Sequence, residues 1–159
     1  MKNLIRIYTD GSCHTQLLVG AWAAIIFAGD NKIILKDWEN NTTHNRMELL
    51  AVIFAIEKID FLGMETEKIA VYSDSQYVVN LTGRKERLKR NNFITKKGTP
   101  IQNVDLIKKF IDQIETHDLE FVKVKAHQKD GDEINREVDI LVRQLVRQKV
   151  TEHEEKISG

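Results

Sequence analysis

Four carboxylates of the chain stand in surroundings where they could bind a hard cation together. Asp10 and Asp74 each directly follow a short apolar run rich in β-forming residues. Glu48 lies inside an apolar helical segment, where burial of a carboxylate is costly unless it is paired or bound to a metal. Asp139 lies between two aliphatic residues of the last helical segment. Mg²⁺ prefers such oxygen ligands, and two ions about 4 Å apart can carry an in-line phosphoryl displacement.

Three of these carboxylates also have an ordinary structural interpretation. Asp10 opens an Asp-Gly dipeptide, which is common in turns. Asp74 stands where it could cap the helix that follows it. Asp139 precedes Arg143 by one helical turn, a spacing that suits an ion pair. Glu48 has no comparable partner, so it is the carboxylate that points most directly to a metal site.

His127 is placed for proton transfer, because it follows a predicted strand and opens a polar loop over 128–132. An unperturbed imidazole has a pKa of about 6.5, which suits that role. An exposed loop histidine is the alternative interpretation. The other four histidines show no zinc-like spacing. The single cysteine, Cys13, excludes a disulfide framework and a Cys-rich zinc site.

Three predicted strands precede the first predicted helix among the elements that must position these side chains. β-forming runs occur at 4–9, 22–28, 32–38, 68–73 and 119–125. Helical spacing occurs at 47–58, 76–81, 84–90, 104–114 and 138–145. This order predicts an α/β protein with a five-stranded mixed sheet, in which three antiparallel strands are followed by parallel ones and helices flank the sheet. Sites in such sheets lie at the carboxyl ends of the parallel strands, so Asp10 and Asp74 are expected on one edge.

Length and composition indicate one globular domain. Of the 159 residues, 42% are hydrophobic and 30% are charged, which excludes a chain that is disordered, collagen-like or coiled-coil throughout. We predict a domain over 1–150 and a polar, disordered tail over 151–159. No apolar run approaches the ~20 residues of a membrane span, and the first residues do not resemble a signal peptide. A cytoplasmic location with no membrane partner is therefore expected.

The charges are balanced overall but unevenly distributed. The chain has 24 basic and 24 acidic residues, whereas 84–97 has seven basic residues and one acidic residue. A basic stripe on an otherwise acidic chain favours a polyanionic partner, and a solvated helix face is the alternative. The basic residues of its helical part are Arg84, Lys85, Arg87, Lys89 and Arg90.

Six short motifs, taken together and in order, resemble those of type 1 ribonuclease H. They lie at 8–12, 42–49, 73–78, 103–106, 124–127 and 135–139. Any one of them is weak, but six in order are highly specific, and the resemblance runs from about residue 4 to residue 146. It implies a ribonuclease H-like fold. It also implies an endoribonuclease that hydrolyses the RNA strand of RNA–DNA hybrids with two Mg²⁺ ions, for which Mn²⁺ can substitute, leaving 5′-phosphate and 3′-hydroxyl ends.

The resemblance also implies individual roles. The metal ligands are Asp10, Glu48, Asp74 and Asp139, while His127 assists proton transfer or product departure without binding metal. Residues expected to read the minor groove are Asn45, Gln76 and the backbone near Gly11, and Thr43 and Asn103 resemble the pair that holds a phosphate of the DNA strand. Ser12, Asn135 and the basic stripe complete the expected substrate contacts. For each Thr and Asn, local helix capping is the alternative.

The chain departs from the better-known family pattern in three places. The loop over 13–19 lacks the usual Gly/Pro-rich character, His44 stands where Asn is common, and the basic stripe contains no Trp. These departures concern the grip on the substrate and leave the four carboxylates intact. A non-catalytic nucleic-acid-binding protein and a differently specific nuclease on the same fold remain alternatives. We expect a monomer.

Overall fold

Five strands and four helices make up the computed structural model, which describes residues 4–64, 68–124 and 133–158. The strands are β1 (Leu4–Cys13), β2 (Gly20–Ala28), β3 (Asn31–Glu39), β4 (Lys68–Ser73) and β5 (Leu119–Lys123). The helices are α1 (His44–Phe61), α2 (Gln76–Arg90), α3 (Val104–Thr116) and α4 (Glu133–Ser158).

All five strands form one mixed sheet in the order β3-β2-β1-β4-β5. Strands β1, β2 and β3 are antiparallel neighbours, while β4 runs parallel to β1 and β5 runs parallel to β4. Parallel neighbours need crossover connections, which the helices supply. The predicted fold class is confirmed, and β1 lies at the centre of the sheet.

The two faces of the sheet have separate cores, because successive residues of a strand point to opposite sides. Ile5 and Ile7 of β1 belong to the core cluster that includes apolar residues of α1 and α3. Tyr8 belongs to a second cluster with Val138 and Val142 of α4. β1 is therefore covered by helices on both faces. Asp10, which follows these residues in β1, is held between the two helical layers.

Several element boundaries differ from the prediction. β1 extends from the predicted end at residue 9 to Cys13, because its pairing with β2 continues to the Cys13–Gly20 pair. The helical segments 76–81 and 84–90 form one continuous helix, α2, with no breaker stronger than Gly83 between them. The strand predicted over 119–125 ends at Lys123, and residue 125 lies outside the described residues.

The prediction of a disordered tail over 151–159 is corrected, because α4 continues to Ser158. Its last turns contain good helix formers and no Gly or Pro before residue 159. Glu152 also accepts hydrogen bonds from Gln148 Nε2 and Lys149 Nζ, each at 3.2 Å, at the spacing that supports an exposed helix. Within 4–64, 68–124 and 133–158, none of the helices has the length and apolar character that a membrane span needs.

Candidate active site

Asp10 and Asp74 reach the same edge of the sheet from neighbouring parallel strands. The parallel register places Tyr8 of β1 opposite Tyr72 of β4, so the two carboxylates each follow that pair by two residues. The turn interpretation of Asp10 is wrong, because Asp10 pairs with Ala23 inside the β1–β2 ladder. Capping of α2 falls to Ser75, whose side chain accepts a hydrogen bond from Val78 N at 3.2 Å, and not to Asp74.

Glu48 meets the sheet edge through an unusually close contact between β1 and α1. A Cβ atom on Gly11 would lie 2.5 Å from the backbone N of Glu48 and 2.5 Å from the backbone C of Met47. Only glycine permits this approach. Gly11, expected as a backbone contact to substrate, is therefore buried against α1, and its N–H donates to Asp10 Oδ1 at 2.9 Å.

The three carboxylates form a compact acidic cluster. One oxygen from each of Asp10, Glu48 and Asp74 lies within 4.8 Å of the others. Glu48 is only 1% exposed, and among the described residues its Oε2 has no hydrogen-bond partner. A buried carboxylate with one partnerless oxygen, close to two further carboxylates, fits a hard divalent cation, which takes oxygen ligands and offsets their charge.

Electrostatics in the cluster favour protonation when no cation is bound. Burial, followed by the charges of Asp74 and Asp139, raises the pKa of Asp10 to about 7. Burial, followed by the charges of Asp10 and Asp74, raises the pKa of Glu48 well above its ordinary value. The Gly11 N–H lowers both pKa values and only partly offsets these effects. Mutual repulsion of this kind is typical of functional sites.

Asp139 lies between a basic residue and an acidic one. Its carboxylate forms the predicted ion pair with Arg143, at 2.9 Å between Oδ2 and Nη2. It also lies near enough to Asp10 for its charge and a hydrogen bond to raise the pKa of Asp10. Asp139 therefore adjoins the acidic cluster from α4, on the side of Asp10, although it is outside the group whose oxygens lie within 4.8 Å.

The residues expected to read the minor groove lie at the rim of the cluster. Asn45 and Gln76 are exposed in the first turns of α1 and α2. Gln76 Oε1 accepts a hydrogen bond from Lys123 Nζ, and its Nε2 donates to Asn80 Oδ1 at 2.6 Å. His44 Nε2 lies 3.4 Å from Glu48 Oε1, so this departure from the family pattern touches the acidic cluster itself.

Lys123 is a residue that sequence reasoning missed. It pairs with Ser73 in the parallel β4–β5 register, and this places it beside the strand end that precedes Asp74. The available signal was its position at the end of a parallel strand, where sites of α/β sheets lie. Its side chain orients Gln76 through the hydrogen bond to Oε1.

Thr43 and Asn103 lie at the starts of two different helices. Thr43 caps α1 by accepting a hydrogen bond from Arg46 N at 3.1 Å, so the capping interpretation is confirmed for this residue. Asn103 occupies the N-cap position of α3 but makes no side-chain capping bond. Its amide instead contacts Tyr77 and Arg46.

The remaining predicted site residues take varied positions. Ser12 is partly buried in β1, Asn135 is partly buried near the start of α4, and His127 lies outside the described residues. On α2, Lys89 is paired with Glu115, and Lys85 Nζ lies 3.7 Å from Glu86 Oε1. In the described part of the chain, three exposed cations of this helix form no ion pair: Arg84, Arg87 and Arg90.

Comparison with known proteins identifies the family to which this geometry belongs. Residues 2–147 match the family model of RNase H. The chain belongs to the RNase H family. The ribonuclease H of Caldicellulosiruptor saccharolyticus is 34% identical over 150 residues, which cover 93% of this chain and 99% of that protein. The ribonuclease H of Chlorobium limicola is 38% identical over 149 residues, which cover 92% of this chain and 98% of that protein.

Solved structures show the same fold at lower sequence identity. LC9-RNase H1, a type 1 RNase H with the type 2 active-site motif, matches with a TM-score of 0.79 and 22% identity, over 93% of this chain and 74% of that one. The foamy viral protease-reverse transcriptase in complex with dsDNA matches with a TM-score of 0.68 and 16% identity, over 89% and 92%. The resemblance to ribonuclease H and the expectation of an enzyme of that class are confirmed.

Proposed function

We propose that this member of the RNase H family hydrolyses the RNA strand of RNA–DNA hybrids and leaves 5′-phosphate and 3′-hydroxyl ends. The acidic cluster is the observation that carries the proposal. It holds three carboxylates within 4.8 Å, one of them only 1% exposed, where the parallel pairing of β1 and β4 ends and α1 meets the sheet. A non-catalytic nucleic-acid-binding protein has no need to hold such mutually repelling groups together.

The proposal includes two Mg²⁺ ions, with Mn²⁺ as a substitute, held by Asp10, Glu48, Asp74 and Asp139. When bound, such ions polarise a water and the phosphate oxygens. The chain's own contribution is a rigid ligand set. Burial holds Glu48 in place, and the Gly11 N–H orients Asp10 through its bond to Oδ1.

Substrate recognition is proposed to combine groove reading with phosphate contacts. Gln76, oriented by Lys123 and Asn80, and exposed Asn45 flank the cluster where they can reach the minor groove. RNA differs from DNA by the 2′-hydroxyl, which both donates and accepts hydrogen bonds, as amide side chains also do. The exposed arginines of α2 contact phosphates and make binding dependent on salt.

Four further expectations belong to the same proposal. His127 assists proton transfer or product departure, and Ser12 and Asn135 contact the substrate. The protein acts as a monomer, and it acts in the cytoplasm. Each expectation is separable from the reaction itself, because the cleavage assay below requires none of them.

Cleavage of RNA end-labelled and paired to DNA tests the reaction. We expect cutting of the RNA in the hybrid with Mg²⁺, none with chelator, and none by the Asp10→Asn variant. Duplex RNA and duplex DNA serve as substrate controls. Equal cutting of another duplex would assign a different nuclease activity, and hybrid binding without cutting by the wild-type protein would favour the non-catalytic alternative.

The ends of the products test the chemistry. Fragments with 3′-hydroxyl ends are extended by a DNA polymerase, and fragments with 5′-phosphate ends are joined by a ligase without prior kinase treatment. We expect both reactions to succeed on the untreated products. A requirement for phosphatase or kinase treatment would contradict the proposed direction of bond cleavage.

A further inference from the structure

Arg46 links three elements at one side of the acidic cluster. Its Nε lies 3.2 Å from Glu39 Oε1 at the end of β3. Its Nη1 and Nη2 lie 3.5 Å from the two carboxylate oxygens of Asp105 in the first turn of α3. Its Nη1 also lies 3.5 Å from Asn103 Oδ1. The Arg46 side chain is 27% exposed, so most of its surface is covered.

Arg46 contacts both members of the Thr43–Asn103 pair, Thr43 through its backbone N–H and Asn103 through its side chain. The backbone N–H of Arg46 donates to Thr43 Oγ1 at 3.1 Å, and its guanidinium donates to Asn103 Oδ1. Asn103 stands in a left-handed conformation with φ of 61° and makes no side-chain capping bond. Its Nδ2 donates to the Tyr77 hydroxyl at 3.4 Å. The Asn103 amide is therefore held from α1 and α2 rather than by its own helix.

Charge at Arg46 argues against direct capture of an anion. One guanidinium faces two carboxylates, those of Glu39 and Asp105, so these three groups together carry a net negative charge. Arg84, Arg87 and Arg90 on α2 differ, because they are exposed and have no ion pair among the described residues. A phosphate attracted to the Arg46 region would meet neutral hydrogen-bonding groups in Thr43 and Asn103.

We propose that Arg46 is a positioning residue whose side chain fixes Asn103, so that Asn103 and the helix-capping Thr43 together form a seat for a backbone phosphate of the substrate. This inference rests on the proposed function, since the phosphate belongs to the hybrid. The Arg46 side chain acts through Asn103 and does not itself neutralise the phosphate. Asp105 belongs to the same device, because its bidentate contact sets the direction of the guanidinium.

The Asp105→Asn variant distinguishes a positioning role of Arg46 from direct contact with the phosphate, because the two roles predict opposite changes in the affinity for the hybrid. If Arg46 positions the seat, loss of the carboxylate loosens the guanidinium and weakens hybrid binding by about threefold to tenfold, the value of one or two net hydrogen bonds. If Arg46 contacts the phosphate directly, loss of the competing carboxylate tightens binding. Asp112→Asn is the matched control, because it makes the same charge change further along α3.

Salt dependence provides a second readout. A cation that neutralises one phosphate contributes about 0.9 to the slope of log affinity against log salt. We expect Arg46→Gln to weaken binding with an unchanged slope, and to raise KM for a long hybrid while kcat at saturation stays within about twofold of wild type. A slope lowered by about 0.9 would overturn the inference.

A measurement on the free protein covers the case in which a variant is poorly folded. In ¹⁵N NMR spectra, the Asn103 side-chain amide should shift in Asp105→Asn and keep its wild-type position in Asp112→Asn, with the bulk of the spectrum unchanged. Binding by Asp105→Asn that equals or exceeds that of Asp112→Asn would overturn the inference while leaving hybrid cleavage standing. Failure of the wild-type protein to bind or cleave the hybrid would overturn both proposals together.

Discussion

The acidic cluster and the Arg46 network stand side by side at the start of α1, yet they treat charge in opposite ways. Glu48 is 1% exposed and lies among like charges, with one oxygen left without a partner in the described structure. Arg46, two residues earlier, meets two carboxylates and an amide. Buried charges that repel one another oppose folding unless a ligand compensates them, whereas paired charges connect elements. Repelling charges therefore mark the reactive groups of the acidic cluster, and paired charges mark the supporting groups around Arg46.

The largest expected effect comes from removing one charge of the acidic cluster. Glu48→Gln should lower hybrid cleavage by roughly 10³-fold or more, because a ligand for the cations is lost. It should also raise the free energy of unfolding in chelator, because the buried carboxylate that repels Asp10 and Asp74 is gone. Urea unfolding and the cleavage assay check both parts. A variant that loses activity and stability together would contradict the view that the Glu48 charge opposes folding.

Stability should depend on pH in the direction set by Asp10. Its pKa is about 7 in the folded protein against an ordinary value of 3.8, so the folded state binds more protons between these values. The free energy of unfolding in chelator should then fall by roughly 2–4 kcal/mol as pH rises from about 4 to above 7. Saturating Mg²⁺ should raise the thermal midpoint more at pH 8 than at pH 5. Equal shifts at both pH values would contradict this account.

The His117–Asp60 pair should have a smaller effect on stability, with the charges attracting each other instead of repelling. His117 Nε2 lies 2.7 Å from Asp60 Oδ1, and its Nδ1 lies 3.0 Å from the Gln113 carbonyl at the end of α3. Burial alone would lower the pKa of His117, but these partners raise it overall. This pair makes its whole contribution to the free energy of unfolding below about pH 6.5, the ordinary pKa of histidine. The contribution is lost as the pH rises through the raised pKa of His117 in the folded protein.

The His117→Gln variant tests that pair through the difference in unfolding free energy between the variant and the wild-type protein. We expect it to lose about 0.5–1 kcal/mol of unfolding free energy at pH 5.5, with the difference from wild type shrinking at higher pH. Urea unfolding at several pH values makes the comparison. Hybrid cleavage serves as the control and should not change, since His117 lies at the far end of α3. A difference that grows with pH would show that the sign is wrong.

The smallest effect should distinguish two neighbouring cations of α2. Arg90→Gln should weaken hybrid binding by about twofold to threefold and lower the salt slope by about 0.9, because its charge is available to phosphate. Lys89→Gln should do less, since Lys89 is already paired with Glu115. Glu115→Gln should tighten binding by releasing Lys89. Filter binding across a salt series measures all three, and equal slopes for Lys89→Gln and Arg90→Gln would remove the distinction.

Local patterns predicted much of this protein because they depend on residues close together in the chain. The β-forming run predicted at 68–73 matches β4 in the structure, and the apolar helix around Glu48 indicated its burial. The motif order pointed to the RNase H family, which the comparisons confirm. The Asp139–Arg143 pair followed from helical spacing alone. Apart from the motif order, which runs along most of the chain, each of these predictions depends on residues only a few positions apart.

Tertiary structure decided what sequence spacing could not. Asp10 looked like a turn residue, but pairing with β2 carries β1 past it to Cys13. The contact of Gly11 with Glu48 depends on the packing of α1 against β1. Arg46 meets Asp105, which is 59 residues away, and Lys123 meets Gln76 across 47 residues. Sequence by itself determined the elements and the types of reactive residue, whereas packing between distant elements decided which charges are paired and which are left facing one another.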